Sequence, residues 1–344
     1  MRAAKYTGEG RIALDLEAAE VLPGPGEVQI EVAYSGICGT DLHVLHGDMD
    51  QRVQIPAALG HEMSGRICRI GQGVEGIEIG APVTVMPLKW CGQCDTCRAG
   101  HQHICPQLQF IGIDSPGAMQ SRWTVPASTV IPIPDHIGLR EAALIEPLAV
   151  AVHDVSRSRL QAGETALIIG GGPIGQLIAL VAQQTGADVI LAEPDEGRRQ
   201  FAAENGIHTV DPRSADLAAV LHERTRGVGA DVVFEVAGLP MTALDAMQHA
   251  RPRGRVVIVA IHPKPVPMDL HRMFWRELEV LGARVYERAD FEKAVNLLSA
   301  GELHVHRLIS DVVPLEKAQD AFVRLSSSQA MKVLVDVQSE GEPA

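Results

Sequence analysis

The sequence predicts an α/β chain: a doubly wound parallel sheet joined to a β-rich, barrel-like domain. Three observations carry that expectation. An apolar run, Leu167-Ile168-Ile169, stops at Gly170-Gly171-Gly172 and passes at once into a helical pattern from Pro173 to about Thr185. From about Ala151 strand-like and helix-like stretches alternate, which implies right-handed βαβ units and a sheet covered on both faces. Before that, residues 1 to about 145 read as short strands broken by Gly and Pro. The 344 residues suffice for about two domains. The expected division is 1–150 with 286–344 as the β-rich domain, and 151–285 as the nucleotide-binding one.

In the first part, Val28–Tyr34 alternates apolar and polar residues, Gly65–Ile70 does so less cleanly, and Pro82–Met86 is a short β-like run. Pro23-Gly24-Pro25-Gly26 and Gly71-Gln72-Gly73 separate them. In the second part strands are expected near 164–170, 188–193, 231–236, 254–260 and 279–284, with helices near 173–186, 195–204, 214–225 and 240–250. Val256–Ala260 and Leu281–Val285 read as interior strands. After about Asp290 come a helix (Phe291–Ala300), a strand (Leu308–Val313), a helix (Leu315–Leu325) and a last strand (Lys332–Val337). The tail, Gln338–Ala344, reads as frayed.

Gly170, Gly172 and Gly175 fit G-x-G-x-x-G. Glycine serves a tight turn, close approach of backbone N–H groups to a pyrophosphate, and close helix–strand packing. Pro173 falls in the first helical turn, where its missing N–H costs nothing, and the N–H groups around Ile174 and Gly175 face the incoming anion. A second apolar strand, Asp188–Ala192, ends at Glu193, 18 residues after Gly175, where a ribose 2′-OH needs an acceptor. A carboxylate there would repel a 2′-phosphate, so NAD is expected rather than NADP, although Arg198 and Arg199 lie close in sequence. Ala166–Ala182 is nearly all apolar, but its glycines, Pro173 and Gln176 argue for a buried strand plus helix over a membrane span.

Composition is ordinary for a globular chain, with 46% hydrophobic and 21% charged residues. A net charge of −13 makes nucleic acid or an anionic membrane a poor partner. Met1–Thr7 has no apolar signal core, so a cytoplasmic protein is expected. Four of the six cysteines, Cys91, Cys94, Cys97 and Cys105, crowd into fifteen residues as C-x-x-C-x-x-C-x7-C. Four thiolates so spaced close a tetrahedral, structural zinc site; iron–sulfur ligation or plain buried thiols are the other readings. Elsewhere, Cys38 in Gly36-Ile37-Cys38-Gly39-Thr40-Asp41, His61-Glu62, and Glu146 before Pro147 have the donor types of a catalytic zinc with an open position. They are scattered over more than a hundred residues, so spacing alone does not assemble them. A buried cysteine and a helix-end carboxylate would read the same way.

Taken in order, Gly36-Ile37-Cys38-Gly39-Thr40-Asp41, Gly60-His61-Glu62, the four-cysteine loop, Glu146-Pro147-Leu148-Ala149-Val150 and the glycine motif resemble the zinc-dependent medium-chain dehydrogenase/reductases over nearly the whole chain. The threonine, butanediol and polyol branch is the most similar. The resemblance implies a GroES-like catalytic domain, a Rossmann-type domain and two zinc ions per chain. It implies a catalytic zinc on Cys38, His61 and Glu146, with Glu62 as an additional or exchanging ligand. Asp41 matches the carboxylate that orients the ligating histidine. Thr40 and His43 match a proton relay. The implied reaction moves hydride between a secondary alcohol (a diol, polyol or hydroxy amino acid) and NAD, in a homodimer or homotetramer. Where many relatives carry Gly-Gly-Phe-Ala-Glu-Tyr this chain has Gly117-Ala118-Met119-Gln120-Ser121-Arg122-Trp123, so Met119 and Trp123 are either pocket or core. Two rivals are a zinc-free quinone or enone reductase of the same fold and a non-enzymatic zinc-binding module. The candidate ligand set argues against the first. The net charge and glycine motif argue against the second.

Overall fold

A computed structural model describes Met1–Ser327 and Ala330–Ser339. Packing divides the chain into two units, Met1–Glu146 with Glu287–Ala344, and Pro147–Tyr286. The first part contributes β1 (Glu27–Gly36), α1 (Gly39–Leu45), β2 (Glu62–Ile70), β3 (Pro82–Val85), β4 (Arg122–Pro126) and β5 (Val130–Pro132). Next come α2 (Ile145–Ser158), β6 (Thr165–Ile169), α3 (Pro173–Gln184), β7 (Asp188–Ala192), α4 (Glu196–Glu204), β8 (His208–Val210) and α5 (Leu217–Arg224). These lead into β9 (Ala230–Glu235), α6 (Pro240–His249), β10 (Ala250–Ile258), α7 (Leu270–Arg276) and β11 (Glu279–Gly282). The chain closes with α8 (Arg288–Ser299), β12 (Ile309–Pro314), α9 (Ala318–Ser326) and β13 (Lys332–Asp336).

In the first unit the main sheet runs β5-β3-β2-β1-β13-β12, with β4 also on β1. Alternation in β1 turns Val28, Ile30 and Val32 into a core that also holds Met119, Trp123 and Phe322. Met119 and Trp123 are therefore core residues, and the Trp123 indole N–H is satisfied by the Pro116 carbonyl at 2.9 Å. The β13 strand lies antiparallel against β1, pairing Leu334 with Gly36. This brings the last strand beside the residues that follow β1. Gln338 and Ser339 are tied down, Gln338 Nε2 to the carbonyls of Val32 and Ser121, and Ser339 by its carbonyl to Arg2. The rest of the expected frayed tail lies outside the described residues.

The second unit holds a parallel sheet in the order β8-β7-β6-β9-β10-β11. Its central strands are apolar throughout; Ala166–Ile168 and Val232–Phe234 have no exposure, as a sheet covered on both faces requires. The apolar stretch 166–182 is split into β6 and α3, and among the described residues no helix is long and apolar enough to cross a membrane. Leu281–Val285 is not interior: among the described residues its strand, β11, sits at the sheet edge and pairs with β10 alone. Strand β8 and helix α7 were not expected. The first is three residues long, and the second buries none of its residues, so neither leaves a periodic signal.

Candidate active site

Cys38 stands immediately before α1, with its backbone extended. Asp41, in the first turn, accepts the Cys38 N–H at 2.9 Å through Oδ2 and closes that turn. Its other oxygen lies 3.5 Å from Nδ1 of His61, the residue before β2. Asp41 and His61 are buried, and the His61 ring packs edge-on against Phe110 at 4.9 Å between centroids. Burial favours the neutral His61, but the Asp41 carboxylate and Cys38 together outweigh it and hold the imidazole well above its usual range. With Nδ1 facing Asp41, Nε2 is left to ligate.

Donor atoms of Cys38, His61 and Glu62 lie within 4.8 Å of one another. The register that pairs Gly36 with Glu62 accounts for this, since it sets the end of β1 beside the start of β2. Cys38, which follows β1, and His61 and Glu62, at the start of β2, then converge. Glu62 is not free to act as a simple ligand, however. Both its oxygens lie 2.7 Å from Nζ of Lys332, which also donates to the Ile37 carbonyl at 3.2 Å. The Lys332 and Glu62 side chains are 4% and 0% exposed. Desolvation opposes the ammonium, yet the charges of Glu62, Cys38 and Glu146 together raise the Lys332 pKa. Lys332 was not singled out in the sequence. The available signal was a lone cation heading the apolar run Val333-Leu334-Val335.

Glu146, expected as a zinc ligand, is buried in the first turn of α2 but is not among the donors that converge within 4.8 Å. Its charge still registers at Lys332. Thr40 Oγ1 is 3.8 Å from Cys38 Sγ. His43, three residues further along α1, is 40% exposed and meets Asp48 at 3.2 Å.

Cys91, Cys94, Cys97 and Cys105 form the second convergent set. Their sulfurs are 3.9, 3.9 and 3.6 Å apart across three pairs, and none is in a disulfide. A tetrahedron with arms of about 2.3 Å has edges of about 3.8 Å, so the spacing matches four-thiolate zinc. Backbone N–H groups of Cys97 and Gln107 point at the sulfurs of Cys94 and Cys105. Backbone N–H groups of Gln93 and Cys94 hold the Cys91 thiol down to about 6, while burial pushes Cys97 up to about 12. A full set of thiolates thus requires a cation. Cys97→Ala should remove one zinc per chain and lower the melting temperature; unchanged metal content and melting would remove the structural role.

In the second unit, β6 ends at Gly170 with φ +106°. A Cβ there would stand 2.9 Å from the Ala237 nitrogen, and one at Gly175 would collide with the Gly170 carbonyl. A Cβ at Gly172 would meet nothing within 4 Å, so no neighbour among the described residues demands glycine there. Pro173 opens α3, with Ile174 next to it. The Glu193 carboxylate accepts the Gly171 N–H at 2.6 Å and the Asp195 N–H at 2.8 Å. It thereby binds the end of β7 to the glycine corner.

The model of the alcohol dehydrogenase GroES-like domain matches residues 24–135, and that of the zinc-binding dehydrogenase matches residues 173–300. The 2-dehydro-3-deoxy-L-galactonate 5-dehydrogenase of Pseudoalteromonas atlantica is 51% identical, over 99% of this chain and 100% of its own length. The (R,R)-butanediol dehydrogenase of Neisseria gonorrhoeae is 32% identical over 98% and 99%. A zinc-binding dehydrogenase structure from Sinorhizobium meliloti 1021, bound to NADP, superposes with a TM-score of 0.92 at 33% identity, covering 97% of this chain and 98% of that one. The chain therefore belongs to the zinc-dependent medium-chain dehydrogenase/reductases and is an oxidoreductase of secondary alcohols.

Proposed function

We propose that the chain oxidises one secondary hydroxyl of a polyhydroxylated acid, of the 2-dehydro-3-deoxy-galactonate class, using NAD. The convergence of Cys38 and His61 beside an orienting carboxylate carries the reading of the site. The relative at 51% identity supports the substrate class. When bound, zinc supplies Lewis-acid activation of a hydroxyl and the nicotinamide accepts hydride. Cys38 and His61 would hold that metal, with Asp41 fixing the imidazole; Glu146 and Glu62 remain the further carboxylates of the set. Cys91, Cys94, Cys97 and Cys105 would hold the structural ion. Thr40 would take the hydroxyl proton, and the exposed ring of His43, one turn along α1, would pass it to solvent.

Gly170, Gly172, Pro173, Ile174 and Gly175 would cradle the pyrophosphate, with Glu193 at the ribose. Even at an effective dielectric of about 20, like charges about 4 Å apart cost on the order of 4 kcal/mol, which supports NAD over NADP. Two of the nearby guanidiniums are already engaged, Arg199 with the Glu193 carbonyl and Arg213 with Asp211, while Arg198 contributes only backbone hydrogen bonds among the described residues. A homodimer or homotetramer is in keeping with the edge strand β11 and with Phe274 and Trp275, which are 74% and 70% exposed. Free thiols throughout suit the cytoplasm.

A panel of sugar acids, butanediol, sorbitol and threonine, assayed at 340 nm with NAD and NADP, tests this. A deoxy sugar acid with NAD should exceed every other pair by about tenfold or more in kcat/KM. A higher kcat/KM for butanediol or threonine would overturn the substrate class, and preference for NADP would overturn the cofactor.

A further inference from the structure

At the carboxyl end of β9 and β10 sits a polar cluster outside the glycine corner. Glu235, the last residue of β9, is fully buried. Its Oε1 accepts the Gly238 N–H at 2.8 Å and the Thr242 hydroxyl at 2.7 Å. Its Oε2 lies 3.1 Å from Nε2 of His262, four residues beyond the end of β10. The Glu235 carbonyl also takes the N–H groups of Val259 and Ala260, so the loop that carries His262 is fixed to the end of β9. An ionised carboxylate only accepts, so Nε2 carries the proton and, in the neutral ring, Nδ1 presents a lone pair. That Nδ1 is buried and has no hydrogen-bond partner among the described residues, in a side chain only 11% exposed. Buried polar atoms are nearly always paired.

The direction of the sheet says what would pair with it. In the order β7-β6-β9-β10, the pyrophosphate corner follows β6 and the ribose carboxylate Glu193 follows β7. A dinucleotide laid along the carboxyl edge from Glu193 past Gly170 therefore sends its other half to β9 and β10. The turn after β9 is already against the corner, with Ala237 packed on Gly170.

We propose that His262, held by Glu235, binds the nicotinamide half of the cofactor, its Nδ1 accepting an N–H of the carboxamide. This rests on the dinucleotide reading of the glycine corner. The closest test is binding rather than turnover. NADH affinity, read by fluorescence, should fall about three- to tenfold in His262→Ala, the effect of one hydrogen bond. ADP-ribose, which lacks the nicotinamide, should bind parent and variant alike. The reduced 3-acetylpyridine analogue, whose methyl ketone has no N–H, should also fail to distinguish them. Unchanged NADH affinity, as expected if water alone satisfies Nδ1, overturns the proposal. So does an equal loss for NADH and ADP-ribose, which would make His262 a support for the loop. His262→Lys keeps a donor for Glu235 but has no acceptor, and should show the same selective loss should the alanine variant fold poorly. Failure of the parent chain to bind NADH, NADPH or ADP-ribose would instead remove the dinucleotide reading itself.

Discussion

Cys38→Ser is expected to lose turnover by about 10⁴-fold while its melting temperature stays close to that of the parent. The rate factor corresponds to roughly 5–6 kcal/mol of transition-state stabilisation, which a Lewis acid at the hydroxyl supplies. A serine hydroxyl is a poor zinc ligand at neutral pH because it does not ionise as a thiol does. The fold should survive. The Cys38 contribution to local structure is its backbone N–H, bonded to Asp41, and serine keeps that bond. The measurement is kcat/KM beside zinc content and thermal melting. Full activity in the variant would end the assignment of Cys38 as a ligand. Equal loss of activity and of fold would show the residue to be structural.

Lys332→Met should cost about 3–5 kcal/mol of stability, far more than a surface charge. The methionine fills the space but leaves the Glu62 carboxylate buried without its cation and the Ile37 carbonyl without its donor. The double variant Lys332→Met/Glu62→Gln should recover much of that loss, because the unpaired charge is gone. Denaturant midpoints read both effects, and a single-variant cost below about 1 kcal/mol would mean that solvent screens the pair. The pH dependence follows from the raised lysine pKa. Its contribution is complete below the unfolded value of about 10.4 and is lost only as pH climbs through the higher folded value. At neutral pH the pair is therefore at full strength.

Much of the second unit is legible in the sequence because its strands are buried on both faces. Leu167-Ile168-Ile169 and Val232-Val233-Phe234 are unbroken apolar runs, and glycine marks where the first must turn. The four-cysteine loop is legible because all its ligands come from one short stretch. The Cys38 and His61 pairing is not, from spacing: it depends on β1 lying beside β2, a long-range register that composition does not encode. Only the ordered motifs of the resemblance pointed to it. The last strand is itself legible, expected over Lys332–Val337 and found over Lys332–Asp336, but its partner is hidden for the same reason. Lys332 reads as a surface lysine until β13 is laid against β1. Helix α7 and the edge position of β11 are obscure on other grounds, since an exposed helix lacks a core-facing stripe and a four-residue strand does not show on which side it is paired.

Because Lys332 lies 270 residues after Glu62, synthesis itself imposes an order of events. At about 5–20 residues per second the ribosome needs roughly a quarter of a minute to a minute to travel between them. Throughout that interval the nascent carboxylate has no counter-ion and its neighbourhood must stay hydrated. The contiguous segment Pro147–Tyr286 is a compact unit of its own and can meanwhile collapse. The buried pairing beside Cys38 and His61 is thus completed only once Lys332 has been made.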